Sequence, residues 1–426
     1  MTAIIPTDIL SPSGRALEFI QHNSLNYFLQ QANPANGLTK DKTAARWPAS
    51  ITVTGLALAC YPIAVEHGIL SRDVAVERTL TTLRFLWNSP QGAHPHASGH
   101  KGFFYHFLDM DSGLRDGHCE LSTIDSGFLF AGALAAAQYF VAESDREREI
   151  RTLSEALYLR ADWRWAQNRG ATLTHGWKPG RGFLKHRWQG YNEALLLYLL
   201  ALGSPTHPVA ESSYDAWTSS YEWGVHCGQE YLYSGPLFTH QLSHLWVDFR
   251  GIQDAFMRDK GIDYFENSRR ATYAQQQYAI DNPHGFRGYS RTSWGLNASD
   301  GPGPKTLTLN GTKRKFLGYA GRGIPYGPDD GTLSPSAVIA SLPFAPEIVL
   351  PAIGASQHSN SAHNPTYPTH VDSPGWISPW HYGLDQGPIA LMIENSRSGF
   401  LWSLMRSCPH IVRGLHRAGF KGGWLS

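Results

Sequence analysis

Apolar residues recur at three- and four-residue spacing along most of the chain, which is the period of helices with one buried face. The pattern predicts about a dozen helices joined by loops rich in glycine and proline. The predicted helices are Leu17–Gln31, Ile51–His67, Ala75–Trp87, Thr123–Val141, Arg146–Trp165, Tyr191–Leu202, Tyr214–His226, Leu242–Met257, Tyr264–Asn282, Pro335–Ile339, Ala345–Gly354, Ile389–Asn395 and Gly399–Leu415. Strand signals are few and are limited to Gly102–Leu108 and Thr306–Leu309.

The predicted helices are of two kinds. Ala131–Ala142 and Ala194–Leu202 are apolar on nearly every side, which is typical of helices buried all round, whereas Arg146–Trp165 has a polar face. Alternation of the two kinds predicts an all-α fold, an (α/α)6 barrel in which six outer helices surround six inner ones and long loops wall a central cleft. An irregular α-domain or a solenoid is the alternative, although no repeat of fixed period is present. We expect a single domain over residues 1–426, with a short lead-in at about 1–14.

The amino-acid composition limits which class of ligand the protein can be expected to bind. The chain has 36 Lys and Arg against 35 Asp and Glu, a net charge of +1, which argues against a nucleic-acid partner. Hydrophobic residues at 42% and charged residues at 17% exclude disorder for most of the chain. With 14 Trp, 19 Tyr and 19 Phe in a chain of low charge, the composition favours a neutral polar ligand, such as a sugar, held against ring faces.

The spacing of the cysteines and the N-terminal sequence indicate in which cellular compartment the protein is expected. Cys60, Cys119, Cys227 and Cys408 are far apart and form no CxxC pair, which predicts free thiols and no zinc site. No basic segment followed by an apolar one opens the sequence, so we expect a cytoplasmic protein, or a periplasmic one if a leader is missing from this chain. The uncharged stretch Ser126–Ala142 is shorter than the roughly 20 residues of a membrane span, so no membrane partner is predicted. The oligomeric state is not predicted.

Three loops combine carboxylates with aromatic residues just before apolar helices. In the first, Gly102–Leu134, Tyr105 precedes Glu120 and Asp125. In the second, Thr174–Pro208, Trp177 and Trp188 precede Glu193. Each carboxylate has an alternative interpretation as a first-turn helix cap. A carboxylate that heads a wholly buried helix would, however, be partly desolvated, and desolvation raises its pKa toward that of a proton donor.

The third loop, Ser373–Asn395, places Trp376, Trp380 and Tyr382 before Asp385, which could likewise be a cap. Two further loops share this style and contribute Asp300 and Arg322.

The histidine-rich segment Gly235–Asp254 offers a different chemistry. His240, His244 and Asp248 follow helical i, i+4, i+8 spacing, which could form a metal-binding face. The segment lacks an HExxH pattern, and the chain has neither a phosphate-binding loop nor a dinucleotide fingerprint. We therefore predict no metal and no cofactor.

Collinear motifs from about residue 15 to the C-terminus resemble the bacterial glucoamylase-like domain of glycoside hydrolase family 144. The motifs are GFFYHFLDMDSGLR, CELSTIDSGFLFAGAL, THGWKPGRGF, WQGYNEALLLYLLALGSPTHP, GPLFTHQLSHLWVDFRGIQD, YGPDDGTLSPSAVIASLPFAPE and GLDQGPIALMIENSRSG. The resemblance implies an (α/α)6 barrel that hydrolyses β-1,2-glucan, with inversion, to sophorose or short sophorooligosaccharides.

The resemblance also implies roles for individual residues. The glutamate of GYNEA, here Glu193, corresponds to the general acid, and the aspartate of LDQGP, here Asp385, to the general base. Glu120 and Asp125 would line the subsites. From the residues themselves, we predict that the substrate is also contacted by Asp300, Tyr105, Trp177, Trp188, Arg322, Trp376, Trp380 and Tyr382.

Four other functions stay open at this stage. They are exo-acting release of sophorose or glucose, transglycosylation on the same polymer, hydrolysis of an α-glucan, and non-catalytic carbohydrate binding on a toroid scaffold.

Overall fold

The computed structural model describes residues 12–309, 311–358 and 376–426. Most of the predicted lead-in at about 1–14, and the first residues of the predicted loop Ser373–Asn395, lie outside these ranges. The helices are α1 (Pro12–Gln30), α2 (Ile51–Glu66), α3 (Arg72–Asn88), α4 (Thr123–Tyr139), α5 (Asp145–Leu159), α6 (Trp163–Gln167), α7 (Leu195–Gly203), α8 (Ser212–Thr218), α9 (Ala255–Lys260), α10 (Tyr264–Asp281), α11 (Pro335–Ala340), α12 (Pro346–His358), α13 (Gly383–Arg397), α14 (Phe400–Arg406) and α15 (Pro409–Arg417). Short 3₁₀ helices are Leu237–His240, Leu242–Leu245 and Gly423–Leu425.

Short strands connect the helices. They are β1 (Ala49–Ser50), β2 (Gly99–His100), β3 (Phe103–Tyr105), β4 (Phe107–Leu108), β5 (Leu121–Ser122), β6 (Gly176–Lys178), β7 (Gly182–Phe183), β8 (Trp223–His226), β9 (Gln229–Leu232), β10 (Ala298–Ser299), β11 (Lys305–Leu309), β12 (Thr312–Phe316) and β13 (Ala320–Gly321). β2, β3, β5, β6 and β7 form one antiparallel sheet, and the others pair as β1–β4, β8–β9, β10–β13 and β11–β12. Strand pairing in the structure is thus more extensive than the two predicted strand segments, although most of the regular secondary structure is helical.

The architecture rests on a row of side-by-side helices that begin at one end of the molecule. At this end of α2 and α4, Thr52 donates to Asp125 at 2.6 Å, and at the other end Tyr139 donates to Glu66 at 2.6 Å. The two helices therefore run parallel.

Helices α13 and α7 extend this row. Gly383, the first residue of α13, lies against Val53 in the first turn of α2. Beyond the last turn of α2, His67 forms a hydrogen bond with Glu394, near the end of α13. Helix α13 therefore also runs parallel to α2. α7 begins beside the same end of α4, where a Cβ on Gly127 would lie 3.0 Å from Leu197.

Helices of the opposite direction pack on the outside of this row. Gln21 and Ser24 of α1 bond Glu394 and Gln386 of α13, in the order that antiparallel helices require. α15 runs antiparallel to α7 in the same way. This alternation agrees with the two predicted classes of helix, and the described side chains of α4 and α7 are almost all buried.

Two short strands lead directly into inner helices and fix where they begin. β1 ends at Ser50, whose hydroxyl accepts the backbone N–H of Val53, and β5 ends at Ser122, whose hydroxyl accepts that of Asp125. These serines are the N-caps of α2 and α4. Because β1 and β5 are also paired with β4 and β3, the inner helices start from a braced edge.

Several predicted helices are wrong in extent. The segment predicted as helix Leu242–Met257 is one 3₁₀ turn, a loop and the start of α9, and the C-terminal half of Tyr214–His226 is strand β8. The predicted helix Gly399–Leu415 is divided between α14 and α15, and Pro409, which has no backbone N–H to donate to the preceding turn, is the first residue of α15.

All four cysteines are free, as predicted: Cys60 and Cys408 are buried, and Cys119 and Cys227 are partly so. Among the helices of residues 12–309, 311–358 and 376–426, none combines the length and apolar character needed to cross a bilayer.

The contact between α2 and α4 generates a stability prediction. A methyl group at Gly132 would lie 1.9 Å from the carbonyl oxygen of Gly55, so Gly132→Ala must push two buried helices apart. We expect a loss of about 3 kcal/mol or more of unfolding free energy, measured by urea denaturation. Gly354→Ala is the control, because a methyl group there meets nothing within 4 Å in α12 and should be neutral or slightly stabilising. Equal effects of the two substitutions would contradict this account.

Candidate active site

The N-terminal end of the helix row gathers the predicted carboxylates. Asp125 is the third residue of α4, Asp385 is the third residue of α13, and Glu193 lies two residues before α7. The predicted helix start at Tyr191 is therefore wrong. The structure brings these three side chains into one electrostatic group, in which the Asp125 charge acts on Glu193 and on Asp41, and the Asp41 charge acts on Asp385.

Glu193 is a desolvated acid just before an apolar helix. Burial, reinforced by the negative charge of Asp125, raises the pKa of Glu193 to about 7. Its side chain is still partly reached by solvent, as expected for a group on the wall of an open cleft. It is not the helix cap, because α7 has Ala194 at its N-cap and no side-chain bond there. Glu193 is therefore a carboxyl group that can hold a proton near neutral pH.

Asp385, unlike Glu193, accepts a hydrogen bond from a serine hydroxyl. Burial raises its pKa to about 6, with added repulsion from Asp41 and Asp300, while a hydrogen bond from the Ser336 hydroxyl to Oδ1 (2.7 Å) opposes the rise. The N-cap of α13 is Tyr382, and it makes no side-chain capping bond. Asp385 is thus ionised at a pH at which Glu193 still holds its proton.

Asp125 is the most enclosed of the three. It is 8% exposed and accepts hydrogen bonds from the hydroxyls of Thr52, at 2.6 Å, and Ser122. Because Thr52 belongs to α2, this bond ties the starts of the two inner helices together. The cap of α4 is Ser122, so Asp125 has its own polar partners besides the helix end.

His106 lies between two of the predicted acids. Its Nδ1 bonds Glu120 Oε1 at 3.0 Å and its Nε2 lies 3.7 Å from Asp125 Oδ1. Burial lowers its pKa, but Asp125 and Glu120 outweigh that effect and raise the pKa of His106 to about 9. In return, the hydrogen bond with His106 lowers the pKa of Glu120 to about 2. The site therefore contains an imidazolium cation that balances part of its negative charge.

Asp300 and Tyr382 are brought together by a lysine. Lys42 Nζ lies 2.9 Å from the Tyr382 hydroxyl and 3.5 Å from Asp300 Oδ2, and the Tyr382 hydroxyl also donates to Asp300. The three residues come from three separate loops, which this cluster joins beside Asp385.

Tyr319 closes the group from the outside. Tyr319 is 64% exposed, and partial desolvation together with the charges of Asp385, Asp41, Asp125 and Asp300 raises its pKa. Its hydroxyl therefore faces the carboxylates as a neutral hydrogen-bond donor.

Three residues that were predicted to contact the substrate are buried. Arg322 is fully buried and forms a two-point ion pair with Asp330, at 2.6 and 2.9 Å. Tyr105 is also fully buried, with the Arg115 guanidinium over its ring. Trp188 is 6% exposed, stacks on His175 and donates its N–H to Thr123. Each belongs to the packing that supports the site and offers no surface to a ligand.

The other predicted aromatic residues remain accessible. Trp177, Trp376 and Trp380 are each partly exposed, as is Tyr382. Trp177 packs beside His100 and Trp165 on the sheet that contains β6. Contact of these rings with substrate stays a prediction.

The alternative metal face does not form. His240 and His244 lie on different 3₁₀ turns and bond Ser234 and Ser268, while Asp248 pairs with Arg250 and Arg406. Within the described residues, no group of three or more His, Cys, Asp or Glu side chains is arranged to hold a metal ion.

The sequence interpretation missed five residues of the site. Asp41, Lys42 and Trp47 lie in the loop between α1 and α2, and His106 and Tyr319 lie in loops beside predicted residues. The pattern of a carboxylate, a cation and an aromatic residue within seven positions, just before the buried helix α2, was the available signal for the first three.

The row of parallel helices, with two carboxyl groups of raised pKa at one end, is consistent with an all-α toroid fold that has an acidic site at the helix starts. The Glycoamylase family, described as "putative glucoamylase", matches residues 185–409. That match covers more than half of the chain, and the chain therefore belongs to this family.

Known proteins agree with this assignment. An exo β-1,2-glucooligosaccharide sophorohydrolase (non-reducing end) of Parabacteroides distasonis is 27% identical over 94% of the chain, which spans 57% of that protein's length. The crystal structure of a "putative glucoamylase" from Bacteroides uniformis is 28% identical, with a TM-score of 0.85 over 98% of this chain and 99% of that one. An endo-β-1,2-glucanase from Chitinophaga pinensis, in a sophorotriose and glucose complex, is 24% identical and shares the fold (TM-score 0.84; 97% and 100% covered). The family resemblance found in the motifs is thus confirmed.

The raised carboxyl pKa values predict how stability depends on pH. The folded protein binds the Glu193 proton more tightly than the unfolded chain does, so this group costs stability as pH rises from about 4.5 to about 7. Glu193→Gln should therefore raise the melting temperature at pH 8 and change it little at pH 4.

The matched control is Glu120→Gln, which should have the opposite sign. Its folded pKa is lowered to about 2, so its ion pair stabilises the protein above about pH 4.5 and this substitution should lower the melting temperature at pH 8. If Glu193→Gln destabilises the protein at pH 8 as well, Glu193 acts as an ordinary helix-end carboxylate.

Proposed function

We propose that the chain hydrolyses β-1,2-glucan or its oligosaccharides. The observation that carries this proposal is the pair of carboxyl groups in one acidic cleft, of which Glu193 retains its proton to about pH 7 and Asp385 ionises near pH 6. A glycoside hydrolase needs one protonated and one ionised carboxyl group at the same pH. The family assignment and the two β-1,2-glucan-acting proteins named above support this choice of substrate.

In the proposed mechanism, Glu193 gives its proton to the glycosidic oxygen as the bond from that oxygen to the anomeric carbon breaks. Asp385 accepts a proton from a water molecule, whose oxygen attacks the anomeric carbon from the opposite face of the ring. The products are a sugar with inverted configuration at that carbon and a shorter chain with a free hydroxyl. Ser336 orients Asp385 through its 2.7 Å hydrogen bond.

Around this pair, we propose that Asp125, Glu120 and Asp300 bind glucosyl hydroxyls and that the accessible rings of Trp177, Trp376, Trp380 and Tyr382 contact sugar faces. We also propose that the helix row belongs to a complete (α/α)6 barrel whose cleft lies at the N-terminal ends of the inner helices. The two related activities are exo and endo, and the loops that border the cleft would decide between them in this chain.

The substrate prediction is tested by incubating the protein with linear β-1,2-glucan and following reducing ends and oligosaccharides over time. We expect reducing ends to accumulate and the α-anomer to appear first in the proton NMR spectrum, because inversion of a β-linkage releases an α-sugar. A product set with an unchanged number of glycosidic bonds would instead indicate transglycosylation. Activity on starch alone would contradict the substrate class, and binding without turnover would indicate a carbohydrate-binding protein.

The acid and base are tested by Glu193→Gln and Asp385→Asn, which keep side-chain shape but remove proton transfer. Each should lower turnover by about 10²–10⁴-fold. Glu66→Gln, the same chemical change at the opposite end of the row, is the control and should leave turnover unchanged. In the wild type, kcat/KM should be greatest between about pH 6 and 7, since it falls when Asp385 is protonated or Glu193 ionised. Near-normal turnover of either variant would exclude that residue from its role.

A further inference from the structure

We propose that Trp47, with Asp41 and Lys42, forms a subsite that binds one glucosyl unit of a β-linked glucan on the Asp385 side of the cleft. This inference rests on the proposed function, because its ligand is the substrate proposed there. None of the three residues belongs to a motif that carried the family resemblance.

The loop that contains these residues is tied to the start of α13. The backbone N–H of Gly383 donates to the carbonyl of Asp41 at 2.8 Å, and that of Thr43 donates to the carbonyl of His381 at 3.0 Å. Lys42 and Tyr382 face each other across this antiparallel bridge. Since Asp385 follows two residues after Gly383, the loop and the proposed base are held in a fixed relation.

One face of the Trp47 indole is already covered. Lys42 Nζ lies 4.0 Å from the centre of the ring, and the lysine itself is 9% exposed. Trp47 is nevertheless 37% exposed, so part of the indole surface remains accessible. Such a ring offers a flat apolar surface for a ligand, and the lysine on one face limits its movement.

The orientation of the ring is fixed at its edge as well. The indole N–H donates to Asp41 Oδ2 at 3.0 Å. The preceding residue, Arg46, has a φ of 54°, in the left-handed region that a non-glycine residue adopts only when its surroundings hold it there. Two independent features therefore determine how Trp47 stands in the loop.

The chemistry of the three residues fits a neutral sugar. The C–H face of a pyranose can pack on the exposed indole, while Asp41 Oδ1 is placed to accept a hydroxyl proton beside it. The subsite is continuous with the site described above, because Gly383, two residues before Asp385, donates its backbone N–H to the carbonyl of Asp41, and the charge of Asp41 acts on Asp385.

The test compares kcat/KM on sophorooligosaccharides for Trp47→Ala, Trp47→Phe and Trp87→Ala. Trp87 is a close control, since it is 40% exposed and carries the Arg160 guanidinium 5.0 Å from its ring, but lies on α3. We expect Trp47→Ala to lower kcat/KM by about tenfold, Trp47→Phe to restore most of it, and Trp87→Ala to resemble the wild type.

A second measurement reports direct contact rather than altered folding. Sophorotriose is added to Glu193→Gln protein, and tryptophan fluorescence is recorded with and without the further change Trp47→Phe or Trp87→Phe. The sugar-induced change should be smaller with Trp47→Phe than with Trp87→Phe, and what remains with Trp47→Phe comes from the other tryptophans proposed to contact the sugar.

Each outcome separates this inference from the proposed function. If the wild type is active but Trp47→Ala behaves like Trp87→Ala, or the fluorescence change is the same size with Trp47→Phe as with Trp87→Phe, the subsite is wrong while the hydrolase stands. If Trp47→Ala and Trp47→Phe reduce kcat/KM equally, the indole N–H rather than the ring face matters, which also overturns the stacking role. If the wild type neither binds nor cleaves β-1,2-linked oligosaccharides, the proposed function fails and the subsite fails with it.

Discussion

The close contact between α2 and α4 is the constraint on which the rest of the structure depends. Gly55 and Gly132 allow two buried helices to approach with backbone against backbone. That approach brings Thr52 within 2.6 Å of Asp125 and starts both helices at the same edge. Helix α13 lies beside α2 and helix α7 lies beside α4. The start of α13 therefore places Asp385, and the residues just before α7 place Glu193, at the same end of the row. A packing requirement in the core thus determines where the acids meet.

Carboxylates that lie this close together repel one another, and two cations in the site offset part of that repulsion. His106 lies against Glu120 and Asp125, and Lys42 lies against Asp300. Glu193 and Asp385 have no such cation among the interactions that shift their pKa values, and both values are raised. The His106 cation thus separates Glu120, whose pKa it lowers, from Glu193 and Asp385, whose pKa values are raised into the range in which carboxyl groups exchange protons near neutral pH.

The sequence was informative where a signal was continuous and local. Helices buried on every side, such as α4 and α7, were predicted because apolar residues occupy all their faces, and Glu193 and Asp385 were found because each adjoins such a helix. Burial of single side chains was not predictable: Arg322 and Trp188 lie in loops that look accessible, yet long-range partners, Asp330 and Thr123, enclose them. The local pattern of Asp41, Lys42 and Trp47 could have marked their loop, but the pairing of Lys42 with Tyr382, 340 positions away, was not predictable from it.

The inner helices are joined firmly along their length, but the residues at their starting edge come from loops of different origin. Exchange or lengthening of the loops around Trp47, Asp300 or Tyr319 would reshape the mouth of the cleft without disturbing the Gly55–Gly132 contact. Selection for a new chain length, or for attack at the end or the middle of a polymer, can therefore act on one part of the molecule while thermodynamic stability is maintained by another. Such a separation gives a lineage room to diversify in specificity without first having to acquire a more stable core.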